Sequence, residues 1–403
     1  MKDNQAKYPQ LRFKGFTDPW EQRKLGDLVD SYNKIVSGKS NYPVATSSRR
    51  GLFLQSDYFD GSRSGIDENV DFHKVPEKYI TYRHMSDDSI FKFNQNDFDT
   101  PVLVSKEYPV FRSNQQANQK FLLDHLNNSP EFLKFSTLQK LGGTRVRLYF
   151  KNLQAYKLMT PNIEEQNAIA SFFTTVDNLI AANQRKVDLL KEQKKGYLQK
   201  MFPKNGAKVP ESRFAGFADD WEERKFGELY KKVNEKNDLS FGKDRVISVA
   251  NMYFKDTGNI RSDDAYMKTY NIFRTGDIAF EGNKSKHFSY GRFVENTIGD
   301  GIVSHVFDVF RPIQQFDLNY WKYAIHNERV MGPILMTATT SSTMMTNLVA
   351  KDFLKRAILV PSYSEQKFVG SFFQQLDDTI ALHQRKLDLL KEQKKGFLQN
   401  MFV

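Results

Sequence analysis

The residue types that most often carry out catalysis are present in this chain, but their spacing matches no common catalytic pattern. The GKS of Gly38–Ser40 resembles the end of a phosphate-binding loop, yet Asn33 stands where that loop requires its first glycine. The seven histidines lack the spacing of a metal site, and there is no cysteine. The acid pairs Asp87–Asp88 and Asp263–Asp264 are predicted to lie in solvated turns. The sequence therefore predicts no catalytic residue, metal or cofactor in this chain.

The composition favours a large negatively charged partner. The formal net charge is +11 and the pI is near 9.3, which is typical of nucleic-acid binding, although ribosomal or membrane-surface binding gives the same balance. The charges are spread along the chain, so they predict folded basic surfaces and not a basic tail. No apolar run of about 18 residues and no signal-like N-terminal stretch occurs. A cytoplasmic location is expected.

The elements that carry these residues are written twice in the sequence. Pro9–Leu28 (PQLRFKGFTDPWEQRKLGDL) resembles Pro210–Leu229 (PESRFAGFADDWEERKFGEL). Gln184–Phe202 and Gln384–Phe402 differ at only three positions. These repeated motifs form a frame that occurs twice, whereas the middles between the motifs show little similarity to each other.

The two closing segments are predicted to be long helices that pair with each other. Pro161–Phe202 and Pro361–Phe402 have apolar positions at alternating spacings of three and four, the pattern of a coiled-coil seam. Such a helix spans about 55 Å and cannot bury its stripe on one small domain, so an antiparallel coiled coil of the two copies is expected. The predicted interface comprises Phe173, Val176, Ile180, Asn183, Val187, Leu190, Lys194, Tyr197, Phe373, Leu376, Ile380, His383, Leu387, Leu390, Lys394 and Phe397.

Four polar residues interrupt this seam and allow two interpretations. One antiparallel register places Asn183 beside Lys394 and Lys194 beside His383, so that the polar residues fix the alignment. Alternatively, the two lysines extend their ammonium groups to water and fix nothing.

Both middles contain short β-rich runs between turn signals, followed by a helical stretch. Trp20 and Trp221, repeated in the frame, are expected to anchor the cores. The sequence predicts an α+β protein with two mixed α/β domains, two long helices and a pseudo-two-fold internal repeat. The predicted boundaries are 1–20 and 204–220 for the opening motifs with their linker, 21–160 and 221–360 for the domains, and 161–203 and 361–403 for the helices.

The repeated motifs resemble those of the specificity subunits of type I restriction–modification systems. The opening P-x-LRF-x-GF and WE pattern resembles the entry to their target-recognition domains, and the closing EQ, FF and K-K-G-x-L-Q-x-M-F pattern resembles the helices that frame those domains. The second copy departs from the pattern at Val369, where isoleucine is usual. The GDI of Gly276–Ile278 is similar to a further recurrent element, whose predicted counterpart in the first copy is Asn96–Phe98.

This resemblance implies a mechanism and a set of partners. Each target-recognition domain would read one half of a bipartite site in double-stranded DNA, and the helices would set the unread spacer. Two methyltransferase subunits would bind the frame and methylate adenine, using S-adenosylmethionine that this chain does not bind. Motor–nuclease subunits would complete the restriction complex. The basic charge would supply phosphate contacts that position the domains.

Candidate DNA contacts lie in loops whose residue types suit bases or phosphates. In the first domain, the loop 142–147 combines two glycines, which permit close backbone approach, with two arginines, which suit guanine edges or phosphates. Its positional equivalent in the second domain is the hydroxyl-rich segment 340–344, and 284–287 forms a separate basic loop. Any of these residues could instead be an ordinary solvated loop residue. The candidates are Ser48, Arg49, Arg50, Gly143, Thr144, Arg145, Arg147, Lys284, Lys286, His287, Ser341, Ser342, Thr343 and Met344.

Two other classes of function compete with this interpretation. A coiled-coil adaptor with two ligand-binding domains that do not bind DNA would leave the charge of +11 unexplained. An enzyme with unfamiliar motifs would need clustered carboxylates or a cofactor loop, and the sequence contains neither pattern.

Overall fold

The two copies of the repeat fold into two units, and each unit takes part of both closing segments. In a computed structural model, residues 8–58, 69–140, 145–204, 206–341 and 345–402 are described. The first unit comprises Met1–Asn183 and Lys386–Val403, and the second comprises Gln184–Arg385. The first unit is therefore discontinuous in sequence, whereas the second is continuous.

The first unit contains short strands and short helices before the first long helix. A 3-10 helix covers Leu25–Asp27. The helices are α1 (Gln55–Tyr58), α2 (Gln119–Asn128), α3 (Pro130–Leu138), α4 (Phe150–Gln154) and α5 (Ile163–Lys200). The strands are β1 (Glu21–Lys24), β2 (Val29–Tyr32), β3 (Ile35–Ser37), β4 (Ala45–Ser48), β5 (Gly51–Leu54), β6 (Asp71–Val75), β7 (Ile80–Tyr82), β8 (Met85–Ser86), β9 (Phe93–Gln95), β10 (Val102–Ser105), β11 (Val110–Ser113), β12 (Val146–Arg147) and β13 (Lys157–Thr160).

The second unit has a similar, though not identical, succession of elements. Two 3-10 helices cover Lys243–Arg245 and Thr257–Asn259. The helices are α6 (Phe226–Leu229), α7 (Asp264–Met267), α8 (Leu318–His326), α9 (Glu328–Ala338), α10 (Ala350–Lys355) and α11 (Tyr363–Met401). The strands are β14 (Glu222–Lys225), β15 (Tyr230–Val233), β16 (Ile247–Ser248), β17 (Tyr253–Phe254), β18 (Asn271–Phe273), β19 (Ile278–Glu281), β20 (Arg292–Glu295), β21 (Gly301–Val303), β22 (Val309–Pro312), β23 (Thr339–Ser341), β24 (Thr346–Leu348) and β25 (Ala357–Val360).

The central sheets of the two units share one topology although their sequences differ. The first unit has the strand order β2-β11-β7-β9, and the second has β15-β22-β19-β20, with every pair antiparallel. In each unit a separate two-stranded sheet joins the opening motif to the strand before the long helix, as β1 with β13 and β14 with β25. The mixed α/β architecture and the internal repeat predicted from the sequence are confirmed.

The repeated opening motifs anchor both cores through the same contacts. Trp20 and Trp221 are 1% and 2% exposed and belong to the main apolar cluster of their unit. The expectation that they are core anchors is confirmed. Arg12 binds the buried carboxylate of Glu165 through two N–H groups at 2.7 Å each. Arginine and glutamate make the same pair in the second unit, which ties each opening motif to the first turn of a long helix.

The helical stretch predicted in each middle is two helices and not one. In the first unit the chain turns at Ser129, whose side-chain hydroxyl accepts the backbone N–H groups of Glu131 and Phe132 and so caps α3. In the second unit Asn327 caps α9 by accepting the N–H of Arg329 at 3.2 Å. A side-chain acceptor at the N-cap satisfies backbone donors that a new helix leaves open, which stabilises the break.

The GDI element forms a turn whose counterpart in the first unit differs from the prediction. The N–H of Gly276 donates to the carbonyl of Asn296 at 2.9 Å. In the first unit the equivalent bond runs from the N–H of Lys78 to the carbonyl of Asn96, at 2.8 Å. The predicted counterpart, Asn96–Phe98, is therefore wrong, because that segment is the acceptor loop.

A glycine is required in only one of these two turns. Gly276 has φ of +88°, and an added Cβ would lie 2.4 Å from Cζ of Phe316. Lys78 adopts φ of 64° at the equivalent place. The counterpart of the phenylalanine, one residue before the cap of α2, is Ala117, and this smaller side chain explains why a residue with a Cβ is accepted.

Within each unit, the parts of the two long helices run antiparallel. In the first unit the rings of Phe172 and Phe397 are 5.0 Å apart, and the ring of Phe173 lies 6.0 Å from that of Phe402. In the second unit the rings of Tyr197 and Phe372 are 5.0 Å apart at 90°. The antiparallel pairing predicted from the seam is confirmed.

The predicted register of this pairing is wrong. Nζ of Lys194 lies 2.5 Å from Asp377, and Nζ of Lys394 lies 2.5 Å from Asp177. Lys394 therefore does not fix the alignment through Asn183. The alternative, in which the ammonium groups simply reach water, does not hold either, because a carboxylate of the other helix binds each of them. These aspartates directly follow seam positions in the sequence but do not belong to the seam, so the seam pattern does not predict them as partners of the lysines.

The proposed interface residues lie on the less exposed side of the two helices. All of them are buried or half-buried except Tyr197, which is 38% exposed, and Val187 and Leu387 are fully buried. Neighbouring positions such as Leu189 and Leu389 are 53% exposed. None of the described helices is both long enough and apolar enough to cross a membrane.

Candidate nucleic-acid interface

The candidates Ser48, Arg49 and Arg50 form the turn between β4 and β5. The hydroxyl of Ser48 donates to the carbonyl of Gly51 at 3.1 Å and accepts the N–H of Arg50 at 3.2 Å. This hydroxyl is therefore used to close the turn. The Arg50 guanidinium lies over the ring of Tyr58, 5.3 Å from its centre. Both arginine residues are exposed.

The candidates Arg145 and Arg147 lie on the strand segment that precedes α4. Arg147 is in β12, which pairs with β8 so that it stands opposite Met85. Both arginine side chains are exposed. Gly143 and Thr144 lie outside the described residues.

An acidic pair brings these two groups of arginines together. Nη1 of Arg49 donates to the carboxylate of Asp88 at 2.8 Å, and Nε of Arg145 donates to Asp87 at 2.9 Å. The hydrogen bond from Arg49 lowers the pKa of Asp88. Both carboxylates are exposed in a bend, as expected for a solvated turn, and they also bind arginines from two different segments. A cavity of about 410 Å³ borders this site.

In the second unit, Lys284, Lys286 and His287 lie in the connection between β19 and β20. All three side chains are exposed. The N–H of His287 donates to the hydroxyl of Ser285 at 3.3 Å, which tightens the loop. This connection occupies the place that the Asp87–Asp88 segment occupies between β7 and β9.

The connection that carries the basic loop is hydrogen-bonded to the hairpin β23–β24. The hydroxyl of Thr346 donates to the carbonyls of Gly282 and Tyr290, at 3.1 and 2.9 Å, and its N–H donates to Gly282 at 2.8 Å. An added Cβ at Gly282 would lie 2.1 Å from the carbonyl oxygen of Thr346, so only glycine permits this approach. Ser341 ends β23, and Ser342, Thr343 and Met344 lie outside the described residues.

The comparison with protein families decides between the functional classes. The family model described as "Type I restriction modification DNA specificity domain" matches residues 17–192 and 218–392. The chain belongs to this family. Its function is therefore that of a DNA specificity subunit in a type I restriction–modification system.

Individual relatives agree with this membership. The MjaVIII type I restriction enzyme specificity subunit of Methanocaldococcus jannaschii is 21% identical over 415 residues, which cover 94% of this chain and 91% of that protein. The crystal structure of a type I restriction–modification S subunit from M. genitalium has the same fold, with a TM-score of 0.55 and 13% identity. That likeness covers 98% of this chain and 99% of the other.

A second polar site of the specificity subunit lies where its first recognition domain meets the long helices. Lys120 of α2 binds Asp124 at 2.6 Å and Asp177 at 2.8 Å, and Lys394 binds Asp177 as well. Burial acts to raise the pKa of Asp177, but the hydrogen bonds from the two lysines outweigh it and lower that pKa. Burial lowers the pKa of Lys92, which borders the same cavity of about 670 Å³. In the part of the chain that the structure describes, no group of three or more His, Asp or Glu side chains is placed to hold a metal ion.

The sequence interpretation missed three features of these polar sites. Asp87 and Asp88 form an ordinary acid pair in the sequence, and this pattern does not show that each of them binds an arginine. Asn347 lies on β24 at the equivalent of Arg147, and its side chain is exposed. Lys120 and Asp177 meet across more than fifty residues of sequence, so only the fold brings them together. In the sequence, only the alternation of polar and apolar residues just before α4 and α10 indicated an exposed face there.

Proposed function

We propose that each unit reads one half of a bipartite DNA site and that the long helices set the distance between the halves. The observation that carries this proposal is the repeated scaffold with different side chains. The connection between the third and fourth sheet strands carries acids bound to arginines in the first unit and lysines with a histidine in the second. One frame displaying two different polar surfaces is what two independent readers require.

In this proposal the chain itself catalyses no reaction. Two methyltransferase subunits bind the repeated frame and supply S-adenosylmethionine for the methylation of adenine, and motor–nuclease subunits join for cleavage. The frame supports this role because its contacts are the same in both copies, including the arginine–glutamate pairs and the lysine–aspartate pairs between the helices. Identical docking partners need identical surfaces.

A domain exchange tests this proposal. Adenine methylation is mapped across the genome of cells that carry the chain with its methyltransferase, before and after residues 222–355 are replaced by the second recognition domain of another family member. The expected result is a bipartite motif in which one half changes and the other is kept. The reciprocal exchange of residues 21–157 is the matched control and changes the opposite half. If an active, bound methyltransferase yields no motif, the chain is a non-DNA adaptor.

A further inference from the structure

The strand that leads into α4 displays three side chains on one face. Arg145, Arg147 and Tyr149 are exposed, whereas Val146 and Leu148 between them are 1% and 0% exposed. Alternation of this kind is the period of a strand with one buried face. The buried side is fixed by hydrogen bonds: Oη of Tyr82 donates to the carbonyl of Leu148 at 2.9 Å. The backbone under the exposed arginines is therefore held in place.

The register of this strand places an acid directly opposite the first arginine. Arg147 pairs with Met85 and Val146 pairs with Ser86, so the next antiparallel position sets Arg145 against Asp87. Nε of Arg145 donates to Oδ1 of Asp87 at 2.9 Å. Among the described residues, the carboxylate of Asp87 is the only partner of this guanidinium, and it leaves both terminal nitrogens available.

The neighbouring arginine is held in a different way. Asp88 accepts hydrogen bonds from Nη1 and Nη2 of Arg49, and Nη2 also lies 3.4 Å from the hydroxyl of Ser86. The end of the Arg49 guanidinium that carries both terminal nitrogens is therefore bound within the protein. The two arginines thus differ in what they can offer to a ligand, although both are exposed and both are paired with an aspartate.

We propose that Arg145 reads a guanine in the half-site of the first unit and that Asp87 is the residue that positions it. This inference rests on the proposed function. A two-stranded β-ribbon fits the major groove, and an arginine with both terminal nitrogens available can donate to O6 and N7 of guanine. A carboxylate on Nε fixes the guanidinium plane before DNA arrives, which reduces the side-chain entropy lost on binding. Arg49 fastens the 48–51 turn to the ribbon and reads no base.

Methylation mapping and competition binding together test the assignment. With Arg145→Ala, the methylated motif accepts any base at one position of the first half-site that was a guanine, and the second half-site is unchanged. Competition binding with the purified complex then shows about tenfold to a hundredfold less discrimination at that base pair. Arg145→Lys loses most of the same discrimination, because an ammonium group cannot donate to both acceptors. Asp87→Asn reduces it partly at the same position only.

The controls separate base reading from folding. Lys134→Ala removes an exposed lysine of α3 and keeps both half-sites. Continued reading of the second half-site in the same molecules shows that the chain is folded. If Arg145→Ala abolishes methylation, competition binding alone shows whether discrimination at that base pair is lost. Full discrimination at every guanine in Arg145→Ala would overturn the inference, whereas a wild-type chain without any bipartite motif would overturn the proposed function instead.

Discussion

The buried pair between Arg213 and Glu365 allows a stability prediction in the second unit. The Glu365 side chain is 1% exposed, that of Arg213 is 15% exposed, and two hydrogen bonds of 2.7 Å join them. Arg213→Met leaves the carboxylate buried without its partner, and this is expected to cost about 3–5 kcal/mol. Replacing both residues by methionine removes the uncompensated charge and is expected to return the unit to within about 1 kcal/mol of the wild type.

Hydrogen exchange followed by mass spectrometry measures this effect in each unit separately, which a single unfolding curve for a protein of two units does not. Protection is expected to fall in peptides of the second unit and to stay unchanged in the first. Arg12→Met is the matched control, because it breaks the equivalent pair in the first unit and reverses the pattern. Unchanged protection in Arg213→Met, or a double variant less stable than the single one, would refute the reasoning.

Three further predictions use the same approach. Gly276→Ala is expected to destabilise the second unit by about 2–5 kcal/mol, because the new Cβ meets Phe316 at a positive φ, whereas Lys78→Gly should not destabilise the first unit; hydrogen exchange in the peptides of each unit measures both. Burial lowers the pKa of His125 to about 4 from 6.5, so the unfolded state binds the proton first. The contribution of His125 to stability is then constant well above pH 6.5 and falls by about 3 kcal/mol on acidification to pH 4, and a His125→Gln variant that keeps the full fall would contradict this. Asn347→Ala is expected to relax an adenine in the second half-site alone, since an asparagine amide suits adenine, and methylation mapping in which the first half-site changes would oppose it.

The repeated frame could be predicted from sequence because its signals are local or periodic. The buried tryptophans and the helix seam each follow from residue type and spacing. The register of the helices could not be derived in this way. An apolar seam permits several alignments, and the choice depends on Asp177 and Asp377, which lie outside the seam and pair with lysines far away in sequence.

The candidate interface was predictable only in part for a related reason. Arginines and glycines in loops mark a basic surface, but they do not show which side chains meet. Asp87 reaches Arg145 because two strands of different parts of the chain pair in one register, a long-range fact with no local signal. The shared sheet topology of two dissimilar middles was equally hidden, since backbone pairing tolerates many side chains on the solvent face.

The discontinuity of the first unit bears on the order in which the protein is made. Synthesis proceeds from the N-terminus, and domains usually fold in that order as they emerge. Here Leu398 and Met401 belong to the core of the first unit, and the N–H of Leu11 donates to the carbonyl of Asn400. The second unit is one continuous stretch and can fold first. The unit begun earliest on the ribosome is thus the last to be completed, and until then its apolar core lacks one wall.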